Sequence, residues 1–112
     1  NLKGENMGYA GGATPVNQFY TETSATVKNK AAGGVAAGPT IYLKGVTINP
    51  SANTCHVKIY DGAANTDTLI YEMKIADEDM YQEYIAAVGI KAQNGLFVEL
   101  VAGTNSVAVI WQ

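Results

Sequence analysis

The chain runs to 112 residues and 11.8 kDa, the size of one domain, with seven Lys, no Arg and ten acids giving a net charge of −3. So few cations cannot displace the counterions of nucleic acid or hold an anionic lipid surface, and without Arg there is no planar fork for phosphates, which argues against nucleic-acid and membrane partners. A single Cys excludes an internal disulfide, and no apolar run approaches the roughly 20 residues of a membrane-spanning helix.

The chain opens on Asn1 without a signal-peptide pattern, so a processed or trimmed start is expected. Residues 1–39 hold seven of the twelve glycines and no periodic apolar pattern. The tracts Gly8-Tyr9-Ala10-Gly11-Gly12-Ala13 and Ala31-Ala32-Gly33-Gly34-Val35-Ala36-Ala37-Gly38 bury too little apolar surface to offset the roughly 1–2 kcal/mol per residue that ordering costs. Between them, Phe19-Tyr20-Thr21-Glu22-Thr23-Ser24-Ala25-Thr26-Val27 is β-branched and aromatic and predicts one strand over 19–27. Residues 1–39 therefore read as an extended arm. Its apolar groups Leu2, Met7, Tyr9, Val16, Phe19 and Tyr20 would become ordered on a partner.

From Thr40 to the end, short alternating apolar runs recur between turn signals, the pattern of an all-β domain over 40–112. The run Ile41-Tyr42-Leu43-Lys44-Gly45-Val46-Thr47-Ile48 keeps Leu43, Val46 and Ile48 on one face only if a bulge at Gly45 resets the phase. Cys55-His56-Val57-Lys58-Ile59-Tyr60 alternates cleanly, placing Cys55, Val57 and Ile59 inward and His56, Lys58 and Tyr60 outward. In the run 68–75, Leu69, Tyr71, Met73 and Ile75 share a face. After the acidic stretch 76–80, residues 81–84 lead into a weaker run over 85–92. Asn94-Gly95 then predicts a hairpin joining Val88-Gly89-Ile90 to Leu96-Phe97-Val98-Glu99-Leu100. A turn at Gly103-Thr104-Asn105 precedes the last strand, Val107-Ala108-Val109-Ile110-Trp111. One open sheet would leave an apolar face wet, so we expect an antiparallel β-sandwich, jelly-roll-like, with the arm in front of it.

Catalytic chemistry is hard to find in these residues. Cys55 and His56 are adjacent in a strand and so point to opposite faces, which rules out a Cys–His pair. Transition-metal ligands are too few. Asp77, Glu78 and Asp79, with Asp61 or Asp67, offer hard oxygens, but their spacing fits no calcium loop. Glu72, Glu83 and Glu99 fall on outward strand positions or loop edges, not around a cleft. The glycines of the arm follow no strand and precede no helix, so they form no phosphate loop. The expectation is a protein without enzymatic activity or cofactor. What remains is surface. Tyr60, Ile70, Phe97, Val101 and Ile110 put apolar area on the outward side, as a subunit interface would. The seven Tyr suit protein contacts or stacking on sugar rings equally well.

The runs Ile41-Tyr42-Leu43-Lys44-Gly45-Val46-Thr47-Ile48, Val57-Lys58-Ile59-Tyr60-Asp61-Gly62, Asn94-Gly95-Leu96-Phe97-Val98 and Ser106-Val107-Ala108-Val109-Ile110-Trp111 resemble the small β-sandwich virion proteins of tailed bacteriophages. The likeness spans 40–112, with Trp111 in the place of the usual terminal aromatic and the acids at 77–79 as a departure. It implies a capsid decoration or cement protein, often trimeric, or a fibre or tail component. It also implies assembly in the host cytoplasm and a place on the capsid surface. It brings no catalytic residues. Two other readings stay open: a carbohydrate- or receptor-binding module of a tail or fibre, and a filament subunit that donates a strand to the next copy.

Overall fold

The computed structural model describes residues 17–29, 40–76, 79–85 and 88–112. They form β1 (Asn17–Thr21), β2 (Ala25–Asn29), β3 (Ile41–Pro50), β4 (Cys55–Asp61), β5 (Thr68–Ile75), β6 (Tyr81–Tyr84), β7 (Ile90–Ala92), β8 (Gly95–Ala102) and β9 (Thr104–Trp111). The first sheet runs β1-β9-β3-β6, with β7 also on β3, and the second runs β2-β8-β4-β5. Every pairing is antiparallel. The chain is thus all-β, two antiparallel sheets packed face to face. Its pairs nest: β1 with β9, β2 with β8, β3 with β6 and β7, and β4 with β5. Every connection except β4–β5 and β6–β7 changes sheet.

Burial follows the period-two pattern. Leu43, Val46, Ile48, Val107 and Val109 from the first sheet meet Cys55, Val57, Ile59, Leu96 and Val98 from the second, all essentially inaccessible. In β3 the phase is kept by the expected bulge. Leu43 pairs with Trp111 while Gly45 pairs with Ile110, so Lys44 is the extra residue. Gly45 packs against the Glu83 carbonyl, where a Cβ would sit in ordinary contact, 3.4 Å from that oxygen.

Four expectations are corrected. The single strand over 19–27 is two strands, broken at 22–24, one in each sheet. Thr21 ends the first inward, its hydroxyl donating to the Thr23 carbonyl, and that tight turn sends the chain across to the second sheet. The run 85–92 is not one strand either. β7 covers only its end, and β6 and β7 lie in tandem along one side of β3. Between them the Ile85 amide donates to the Lys44 carbonyl at 2.7 Å, so the interruption faces the β3 bulge.

Asn94-Gly95 makes no hairpin. β7 belongs to the first sheet and β8 to the second, so the dipeptide is a crossing. Asp61 Oδ1 accepts the Gln93 and Asn94 amides at 3.0 and 2.6 Å, and Gly95, at φ 138°, takes a conformation other residues rarely adopt.

The last correction is a bulge in β5. Ile59 pairs with Tyr71 and Tyr60 with Leu69, leaving Ile70 as the extra residue. Leu69 is therefore 43% exposed, and Ile70, expected outside, packs against the core. Of the arm, residues 17–29 are built into the two sheets, whereas Leu2, Met7, Tyr9, Val16 and the tract 31–38 lie outside the described residues, as do Asp77 and Glu78.

The Asp61 carboxylate organises the β7–β8 crossing, so Asp61→Ala is expected to lower stability by about 1–3 kcal/mol in urea unfolding, by stranding two backbone amides.

Candidate functional site

The chain's nucleophile and base stand on opposite sides of β4. Cys55 is buried, and its sulfur lies 3.0 Å from Thr104 Oγ1. The Thr104 hydroxyl already donates to the Ala102 carbonyl at 2.8 Å, which makes the thiol the donor in that contact. His56 points outward, and its Nε2 meets Glu72 Oε2 at 2.6 Å. That contact, with nearby Lys58 and Lys74, holds the Glu72 carboxyl below the usual carboxylate range against the opposing effect of burial. An open cleft of about 390 Å³ lies beside this pair, lined by Thr54, Cys55, His56, Lys74, Ile75 and Ala102 among others. Its reactive-type groups are the engaged thiol, the engaged imidazole and the Lys74 amine.

The carboxylates serve as acceptors within the fold. Asp67 Oδ2 accepts the Ala63 and Ala64 amides and closes the β4–β5 loop. Glu99 accepts from Asn65 Nδ2 at 3.0 Å and from the Tyr60 hydroxyl at 2.8 Å, and these two bonds keep its carboxyl below its ordinary range. Tyr60 faces outward, as alternation predicts, but is not an accessible contact residue. The loop 62–67 folds back over it, with Thr26 Oγ1 donating to the Ala63 carbonyl, and Tyr60 is left 6% exposed against Phe97 at 6.2 Å between ring centroids. Phe97 is half-buried for the same reason. Glu83 is likewise not an outward residue. It turns between the sheets, where one oxygen accepts the Tyr71 hydroxyl at 2.8 Å and the Tyr81 hydroxyl at 3.1 Å. Burial and that carboxylate push both phenols up from their ordinary value. Among the described residues no group of three or more His, Cys, Asp or Glu could hold a metal ion.

The two outer faces are unlike. On the second sheet the register aligns Glu72, Lys58 and Glu99 across three strands, with His56 and Lys74 in the adjoining row. Opposite charges paired across strands keep this face solvated. On the first sheet, Gln18, Ile110, Gly45 and Tyr84 form one row, and Tyr20, Ala108, Thr47 and Gln82 the next. None of these eight is charged. Tyr20 is 60% and Tyr84 71% exposed. Of the residues expected at an interface, then, Tyr20 is open, Phe19 packs against the core from β1, and Tyr60 and Ile70 are covered. Tyr84 and Gln82 were missed. Tyr81 and Tyr84 compete for the inward phase, and the register to β3, invisible in the sequence, decides between them. A usable signal was present in the repeat of Gln-x-Tyr at 18–20 and 82–84.

Tyr71 ties β5 to β6 through Glu83, so Tyr71→Phe is expected to cost about 1 kcal/mol at neutral pH. Because the folded state holds the phenol's pKa above 10.0, the unfolded chain releases its proton first. Stability then falls as pH rises above about 10, and the Phe variant flattens that fall, which thermal unfolding across alkaline pH measures. Comparison with protein-family models, with curated proteins and with solved structures returns no match to the chain.

Proposed function

We propose that this chain is a non-enzymatic structural protein of a tailed-phage virion, a jelly-roll subunit that decorates or cements the capsid surface as a homo-oligomer, with a trimer favoured. The observation that carries the reading is the nested pairing. The order β1-β9-β3-β6 over β2-β8-β4-β5 is what a long hairpin yields when wrapped into two sheets, the arrangement used by viral capsid and lectin domains. The resemblance of the strand-and-turn runs to small phage virion proteins points the same way. The engagement of Cys55, His56 and the acids in bonds within the fold favours a binding role over catalysis.

Such a sandwich keeps four sheet margins, β1 and β6 in one layer and β2 and β5 in the other. An extended segment of a neighbour can add to a margin through backbone hydrogen bonds. A closed ring of copies follows if the added segment returns to the starting copy, and a shell presents each ring with many equal positions. Residues 1–16, with Leu2, Met7, Tyr9 and Val16, are the segment we assign to that contact.

Because 17–29 supplies β1 and β2, the informative deletion removes residues 1–16 and no more. Light scattering after size exclusion is expected to give a discrete oligomer for the whole chain and a smaller species for the deletion. A whole chain that stays monomeric at every concentration, or a deletion that assembles like the parent, would sink this reading.

A further inference from the structure

The two uncharged rows on the outer face of the first sheet have the form of a site. β1 and β6 carry the same tripeptide pattern, Gln18-Phe19-Tyr20 and Gln82-Glu83-Tyr84, at opposite margins and in opposite directions. The register therefore sets Gln18 across from Tyr84 and Tyr20 across from Gln82, related by a local two-fold. Between them the central strands bring small groups, Gly45, Ala108 and Thr47, with Ile110 half-buried beside Gly45. Long margins around a low centre make a shallow trough along the strands, about 14 Å from β1 to β6 at the usual strand spacing. The Tyr20 hydroxyl donates to Glu22 Oε2 at 3.2 Å, beyond the end of β1, which steadies that ring.

We infer that this trough binds a neutral oligosaccharide, with Tyr20 and Tyr84 as stacking platforms and Gln18, Gln82 and Thr47 as hydrogen-bonding groups. Three properties select that ligand class. The eight residues carry no charge, and the charged groups nearest them, Glu22 at the Tyr20 hydroxyl and Lys91 opposite Tyr42, stand at the ends of the trough, so an ionic ligand finds no counter-charge at its centre. Each margin joins a ring to an amide, matching a sugar unit that offers C–H groups on its face and hydroxyls at its rim. The trough also covers roughly 270 Å² at ordinary strand dimensions, well short of the about 800 Å² per partner of a standard protein interface, so a second copy would gain too little here. A peptide laid on it would need its own backbone groups met, and the backbone beneath is already engaged in the sheet.

The test is a calorimetric and NMR titration of the whole chain with cellotetraose, maltotetraose and chitotetraose. At least one is expected to bind, with shifts confined to β1, β3, β6 and β9. Tyr20→Ala and Tyr84→Ala should each weaken that binding by about tenfold, while Tyr60→Phe, on the other sheet, leaves it unchanged. Gln82→Ala, which removes an exposed amide, gives a second reading that does not depend on the aromatic variants folding. No binding by any of the three sugars, or binding that survives the double variant Tyr20→Ala/Tyr84→Ala, overturns the inference. The titration reads one face and the solution mass reads assembly, so either result can fail without the other.

Discussion

No disulfide clamps the two sheets face to face, so the apolar layer they share has to. Each Val, Leu or Ile brought fully into that layer contributes about 1.5–3 kcal/mol over leaving it in water. In a strand, a shift of one residue would take every inward group of that strand to the wrong side. The layer from Leu43, Val46, Ile48, Val107 and Val109 to Val57, Ile59, Leu96 and Val98 therefore dictates phase at every point of the chain. Where the sequence cannot keep strict alternation, the backbone yields. Lys44 bulges out of β3 and Ile70 out of β5, and each bulge returns the following residues to their proper side.

The polar groups are arranged around that layer and seal its margins. On the β5–β6 side, Glu83 turns inward and two phenols donate to one of its oxygens, which offsets part of the cost of seating a carboxylate between the sheets. At one end, Asp61 gathers the amides of the β7–β8 crossing. On the second sheet, the loop 62–67 lies over Tyr60 and Phe97, and Asn65 and Tyr60 share Glu99. One outer face thus becomes charged and partly roofed, and the other keeps two open rows without charge.

Much of this was legible in the residues. Alternation at 55–60 places Cys55 and His56 on opposite sides, and the broken phase at 41–48 calls for a bulge. Other features rest on pairings between distant strands, and local pattern is blind to those. Ile70 could not be known as the bulged residue, because the run 68–75 reads equally well with Leu69 inward. Asn94-Gly95 carries the local chemistry of a hairpin, yet Asp61, more than thirty residues away, recruits the preceding amides and turns it into a crossing. Tyr60 fell on the predicted side of its strand and was then hidden by a loop whose course no periodicity describes. The paired Gln-x-Tyr margins became neighbours across a sheet only once β9 and β3 lay between them.

The pairing of Asn17 with Trp111, and of the Gln112 backbone with Tyr42, sets the first described strand beside the last. Both ends of the sandwich therefore open at a single corner. A short bridge from 112 to 17 would turn the body into a covalent circle, and new termini could then be cut into the β4–β5 loop without disturbing the shared layer. Conversely, any bulky fusion placed after Gln112 would crowd the start of β1 at Asn17.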